Sequence, residues 1–206
     1  MDWVLPSSFH PISRGHLRTM ATALEQDDEA AASPTTIVHD TLATADELNS
    51  WLTAHGVDTA SWGVGKAKTI SHLLDEVVSK ESTLQLLAGQ VFRCLTVVKM
   101  VICHPTGAPR HLVHARQKMA DGRVRERNVL PSEKMVAGEE AKHAAVRGVL
   151  EEMGEYVLAQ QLIKVDPETL LVWNEIVDSP SYPSLTTQYT LYQVGVRLRT
   201  ACIPHA

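Results

Sequence analysis

The sequence is short of aromatic residues, of cysteines, of long apolar runs and of any charge excess of one sign, and each shortage excludes something. Aromatics make up 5% of the 206 residues, too few for the stacking platforms that hold single-stranded nucleic acid. The formal net charge is -5, whereas nucleic-acid-binding domains are usually strongly basic, so nucleic acid is not the expected partner. No apolar stretch nears the roughly 18 residues a spanning helix needs, and no membrane association is expected. Cys94, Cys103 and Cys202 are odd in number and widely spaced, without a CxxC pair or zinc-type Cys/His spacing. They read as free thiols packed as small hydrophobes, which suits an intracellular, reducing compartment.

The N-terminus allows two readings. From Trp3 to Leu24 there is no acid, while Arg14 and Arg18 stand among serines and threonines, a composition found in chloroplast and mitochondrial transit peptides. Asp2 and the second methionine at Met20 favour a cytoplasmic protein instead. Residues 21–36 are small, acidic and polar, with Ser33-Pro34 as a breaker, and read as a disordered linker. The expected organisation is a disordered or targeting segment over 1–36, a helical extension over 37–83 and the main domain over 84–206.

In TADELNSWLTAHG, Thr44 is placed to cap a helix, Asp46 and Glu47 suit its positive end, Leu48, Trp51 and Leu52 share a face, and Gly56 ends it. Residues 66–79 repeat the pattern with Ile70, Leu73, Leu74, Val77 and Val78. The intervening WGVGK lacks phosphate-loop spacing and reads as a turn. Residues 91–103, dense in β-branched and apolar residues, predict a central strand. HLVHARQ and RVRERNVL read as strands on either side of the turn dipeptide Asp121-Gly122. A helix is expected over 141–153, stopped at Gly154, with further strands at LLVWNEIV and QYTLYQVGVRL. Strands around one central helix indicate α/β or α+β architecture.

LPSEKMVAGEEAKHAAVRGVLEEMG, residues 130–154, resembles a Nudix box. Aligned on Gly154, the box pattern places Glu151 and Glu152 on its Glu pair, Val149 on its apolar site, Arg147 on its Arg and Glu139 on its first Glu, without gaps. The resemblance implies a Nudix-type α/β/α sandwich with a mixed sheet. It implies that Glu151 and Glu152 hold Mg²⁺ or Mn²⁺, and that Arg147 and Glu139 brace the loop against the helix; these four are the candidate catalytic residues. Oxygen ligands suit such cations, and carboxylates three or four apart share a helical face. The box departs from the pattern twice. Its opening Gly is Glu133, and the Glu after Arg147, commonly a metal ligand in the family, is Gly148. Glu139, Glu140, Glu168, Glu175 and Asp178 are the candidates to replace it. SEKM and the DGR-x-R-x-R strand before it, with the helix pair carrying SWGVGKAKT, are similar to a divergent group of plant and algal Nudix-like proteins.

Other features carry two readings each. Arg123, Arg125 and Arg127 alternate along one strand face and either contact substrate phosphate or line a solvated hairpin. Tyr182, in the loop SPSYPSL, either stacks on a base or packs inward. His111 and His114 are three apart in a strand, hence on opposite faces, and His143 is expected at the surface. After VGVRLRT the sequence finishes in ACIPHA, shorter than the last strand and helix usual in Nudix domains, so an exposed strand edge and a protein partner or homo-oligomer are expected. The function expected is divalent-metal-dependent cleavage of a nucleoside diphosphate linked to another moiety, with a nucleotide-type small molecule as ligand. The alternative is a catalytically degenerate Nudix-fold binding or assembly module.

Overall fold

The computed structural model describes residues 2–4, 35–37, 43–103, 110–118, 124–154 and 163–198. Its architecture is built on one strand, β4 (Gln90–Cys103). Strand β9 (Thr186–Leu198) runs parallel to β4 in unbroken register from Phe92↔Thr186 to Cys103↔Arg197. The other side of β4 pairs antiparallel, first with β3 (Thr83–Leu87) and then with β7 (Ser132–Met135). Strand β8 (Ile163–Asp178) pairs antiparallel with β9, with an irregularity between Asp166 and Leu171. Strands β5 (His111–Lys118) and β6 (Val124–Val129) form a hairpin. Within the expected N-terminal segment, β1 (Asp2–Val4) pairs with β5 and β2 (Thr35–Ile37) with β3; the remainder of that segment lies outside the described residues.

Three helices stand among the described residues. Helix α1 (Ala45–Ala54) starts on the expected Thr44, whose hydroxyl accepts from Glu47 N while Glu47 accepts from Thr44 N, a reciprocal capping box. Helix α2 (Ile70–Val78) starts four residues later than its periodicity predicts. Thr69 makes the same kind of cap with His72, which leaves Lys66 to Lys68 in the preceding turn. Helix α3 (Ala141–Met153) has the expected bounds, with Gly154 as C-cap. No described helix is long and apolar enough to cross a membrane.

The sheet changes its buried face along β4. Val91 packs with Leu48, Leu52, Leu73, Val77 and Trp62 under α1 and α2. Val98, Met100 and Ile102 pack instead with Ala144, Ala145 and Val149 of α3. Because successive strand residues point to opposite faces, the odd-numbered Val91 and the even-numbered Val98 lie on opposite sides. The fold is therefore mixed α/β, with a helix pair on one face at one end and a single helix on the other face at the other end.

A buried ion cluster fastens the helix pair to the sheet. Glu76 of α2 accepts from Arg93 Nη2 (2.6 Å) and Nε (3.0 Å), Lys68 Nζ (2.7 Å) and Lys134 Nζ (3.1 Å). Tyr182 is fully buried, 5.0 Å from the Trp62 ring and 5.2 Å from the Arg93 guanidinium; the base-stacking alternative is thereby excluded. Burial pushes the Glu76 carboxyl up, but the Lys68 hydrogen bond and the Arg93 and Lys134 charges outweigh it and hold the carboxyl at about 2. A depressed folded pKa contributes stability that is complete above the ordinary value of 4.5 and is lost as pH falls towards 2. The urea midpoint is therefore expected to drop across that window, and a flat midpoint there would show the carboxylate to be unstabilised.

Candidate functional site

The alternation of β7 assigns its two charged side chains to different faces. Lys134 lies opposite Val97 and Glu133 opposite Val98. Lys134 therefore reaches the helix-pair side, where its Nζ donates to Glu81 (2.7 Å) as well as to Glu76. Glu133 reaches the α3 side. The chain then turns through residues 136–140, where Val136 N donates to Glu139 Oε2 (3.1 Å), and enters α3. Ala144, Ala145 and Gly148 keep the inner face of α3 small, so the helix lies close on the sheet.

Arg147 is the hub of the box. Its Nε and Nη2 donate to the two oxygens of Glu139 (3.2 and 3.0 Å), and Nη2 also donates to the Lys134 carbonyl (2.7 Å). Its Nη1 donates to Glu133 (2.9 Å) and to Glu151 (3.3 Å). The hydrogen bonds to Glu139 raise the Arg147 pKa above its usual value. Burial pushes the Glu139 carboxyl up, but the Arg147 hydrogen bond and the Val136 amide prevail and lower it. Glu133 is moved upward, chiefly by burial and further by the Glu151 charge, against the Arg147 bond.

The two departures of the box touch each other. A Cβ added at Gly148 would lie 2.8 Å from the Glu133 Cβ and 2.9 Å from the Met100 Cε. Real Cβ atoms essentially never approach so closely, so the glycine is required by its neighbours. The Glu133 side chain stands against the position where a residue-148 side chain would begin. Sequence reasoning missed Glu133 as a neighbour of the site; its signal was the paired exchange of Gly for Glu at 133 and Glu for Gly at 148.

The two Glu residues after Val149 face different partners. Glu151 is 55% exposed and turns to Arg147, whereas Glu152 is 35% exposed with its Oε2 3.2 Å from His114 Nε2 on β5. Among the described residues no three His, Cys, Asp or Glu side chains gather as a metal-holding group. Of the other carboxylates named from sequence, Glu140 is the exposed N-cap of α3, and Glu168, Glu175 and Asp178 lie on β8, where Glu175 accepts from Trp173 Nε1 (2.8 Å). His143 is exposed as expected. Of the basic trio, Arg123 and the Arg125 side chain lie outside the described residues, while Arg127 is exposed on β6.

Two hollows flank the box. One, of about 390 Å³, runs along α3 past His143, Arg147 and Glu151. The other, of about 510 Å³, lies on the α3 side of the sheet beyond the helix, beside Gly138 and Glu139. Its floor carries Thr83, Gln85, Thr96, Gln188 and Thr190, and Lys80 and Glu81 stand at its wall. Hydroxyls and amides offer hydrogen bonds without net charge, which suits the uncharged part of a polar ligand.

No family model and no curated protein matches the chain. Among solved structures it is similar to the crystal structure of C. elegans Ap4A hydrolase, at 14% identity and a TM-score of 0.25, over 50% of this chain and 69% of that one. A likeness this loose fixes neither fold nor activity.

Proposed function

We propose that the chain is a Nudix-type hydrolase of a nucleoside diphosphate linked to another moiety, dependent on Mg²⁺ or Mn²⁺. The observation that carries this reading is the Arg147 hub, which ties loop carboxylate Glu139 to helix carboxylate Glu151 beside a polar cleft. The donor chemistry fits such a cation: Glu151 and Glu152 present partly exposed carboxylates, and Mg²⁺ needs only one or two carboxylates besides phosphate and water oxygens. When bound, the ion would neutralise phosphoryl charge and acidify a water. The chain's own residues do the positioning. The Arg147 donors are all engaged by protein acceptors, so it acts as a brace and leaves phosphate to other groups. Lys80 at the cleft wall, with the arginines Arg123, Arg125 and Arg127, would supply those, and His114, whose Nε2 lies 3.2 Å from Glu152 Oε2, would flank that carboxylate.

The second reading, a binding module without catalysis, is favoured by Gly148, where no carboxylate can be added without displacing Glu133. Purified protein with Mg²⁺ or Mn²⁺ and a panel of ADP-ribose, NADH, dinucleoside polyphosphates and oxidised nucleotides separates the two. Turnover that falls roughly 100-fold in Glu152→Gln supports the hydrolase; turnover indifferent to that change sinks the metal assignment. Ligand binding with no turnover on any substrate moves the conclusion to the binding module.

A further inference from the structure

The outer strand of the sheet carries an unusual load of apolar surface. Leu170, Leu171, Val172, Ile176 and Val177 of β8 are each between 39% and 64% exposed. Strand β8 pairs with β9 alone among the described residues, so its other edge offers backbone donors and acceptors without a strand partner. Natural edge strands are usually guarded by lysine, proline or inward charge. From Glu168 to Asp178 this one has no Lys, Arg or Pro. The segment Leu171–Asp178 is in regular register with β9, whereas the stretch before it is not, so any added strand would be read by residues 171–178.

We propose that β8 is a dimerisation edge, pairing antiparallel with β8 of a second copy about a two-fold axis at Asn174. Such an axis is normal to the sheet, and residues placed opposite one another point to the same face. It sets Val172 against the partner's Ile176 on one face and Leu171 against the partner's Val177 on the other. Asn174 meets the partner's Asn174, an amide that both donates and accepts. Glu175 meets the partner's Trp173, whose ring type already hydrogen-bonds Glu175 within one chain. No carboxylate faces another across this ladder, and the one opposition of an apolar residue to a carboxylate, Leu170 against the partner's Asp178, falls at its outer end, where Leu170 lies in the irregular stretch before Leu171. Moving the axis to Trp173 sets Leu171 against Glu175 and Val172 against Asn174; moving it to Glu175 sets Ile176 against Asn174 and Val172 against Asp178. Centring it on Val172 carries the pairing into the irregular stretch before Leu171 and sets Ile176 against Glu168. Only the Asn174 register matches every apolar side chain from Leu171 to Val177 with an apolar one or, for Trp173, with its existing hydrogen-bond partner type. Opposed apolar and complementary pairs are what stabilise a ladder, and self-matching selects a second copy over an unrelated strand. This inference is independent of the reading of the box.

Sedimentation velocity of the full chain over a concentration series tests it. The mass should rise from monomer to dimer with concentration, and Val172→Lys, at a half-exposed position, should weaken dimerisation by more than about tenfold while leaving the circular dichroism melt in place. The register has its own test. Asn174→Cys should give a disulfide-linked dimer under mild oxidation, because opposed residues lie within disulfide reach. Ile176→Cys should not, and the unaltered chain controls for its native cysteines. A monomer at every concentration overturns the proposal, as does a dimer that survives Val172→Lys or that cross-links as readily through Ile176→Cys. Failure of the nucleotide panel would leave these outcomes untouched.

Discussion

Glu76→Gln is expected to lower the unfolding free energy by about 3–5 kcal/mol, the usual consequence of stranding a buried charge. The arithmetic rests on Arg93, whose side chain is 5% exposed and whose carboxylate partner in the structure is Glu76. Lys134 keeps Glu81 and the Lys68 side chain is partly exposed to water, so the 5%-exposed guanidinium bears most of the loss. For a chain of this length the change corresponds to a melting-temperature drop of roughly 10 °C. Adding Arg93→Met should return much of the loss, because an ion pair replaced by apolar groups is often neutral. A double mutant as unstable as the two single losses combined would mean that each residue acts elsewhere.

The second large effect is expected at Gly148. Gly148→Ala should cost about 1–3 kcal/mol, the range for overpacking a core, although alanine ordinarily favours a helix interior by roughly 1 kcal/mol over glycine. The sign is decided by the 2.8 Å approach to the Glu133 Cβ, since the Met100 methyl at 2.9 Å can swing aside and a strand Cβ cannot. In Glu133→Gly the same alanine should be tolerated, giving a coupling of at least about 1 kcal/mol in a double-mutant cycle. Additive losses would separate the two box departures. Placing glutamate at 148 alone is consequently a poor test of whether a carboxylate there would hold a metal, because it confounds chemistry with a steric conflict; the informative variant changes Glu133 together with it.

Local chemistry made much of this legible in the sequence. Thr44, the apolar positions of α1 and α2, the limits of α3 and the run of β-branched residues in β4 each state their own conformation within a few residues. The acceptors of Arg147 were legible in part: Glu139 is implied by the resemblance to the box and Glu151 stands one helical turn after Arg147, whereas Glu133 and the Lys134 carbonyl depend on β7 lying beside β4. The switch of buried face between Val91 and Val98 is not written in any local period, because it depends on which helix covers which end. The parallel pairing of β4 with β9 spans almost a hundred positions of chain, and no neighbour-range pattern encodes it. Tyr182 shows the same limit. Its loop composition allowed both an inward-packed and an accessible ring, and the choice between them is made by the long-range approach of Trp62 and Arg93.

The diagonal placement of the two helical covers has a thermodynamic consequence. The polar cleft takes its floor from β3, β4 and β9, one wall from Lys80 and Glu81 in the connection that follows α2, and its rim from the loop that leads into α3. A molecule seated there would lean on both halves of the fold at once. By linkage, whatever it gained from the assembled state would be returned as resistance of the assembly to coming apart. The affinity of the cleft and the docking of α1 and α2 are in that sense one equilibrium, and a change made deep in the Glu76–Arg93 cluster would be felt by a ligand that never touches it.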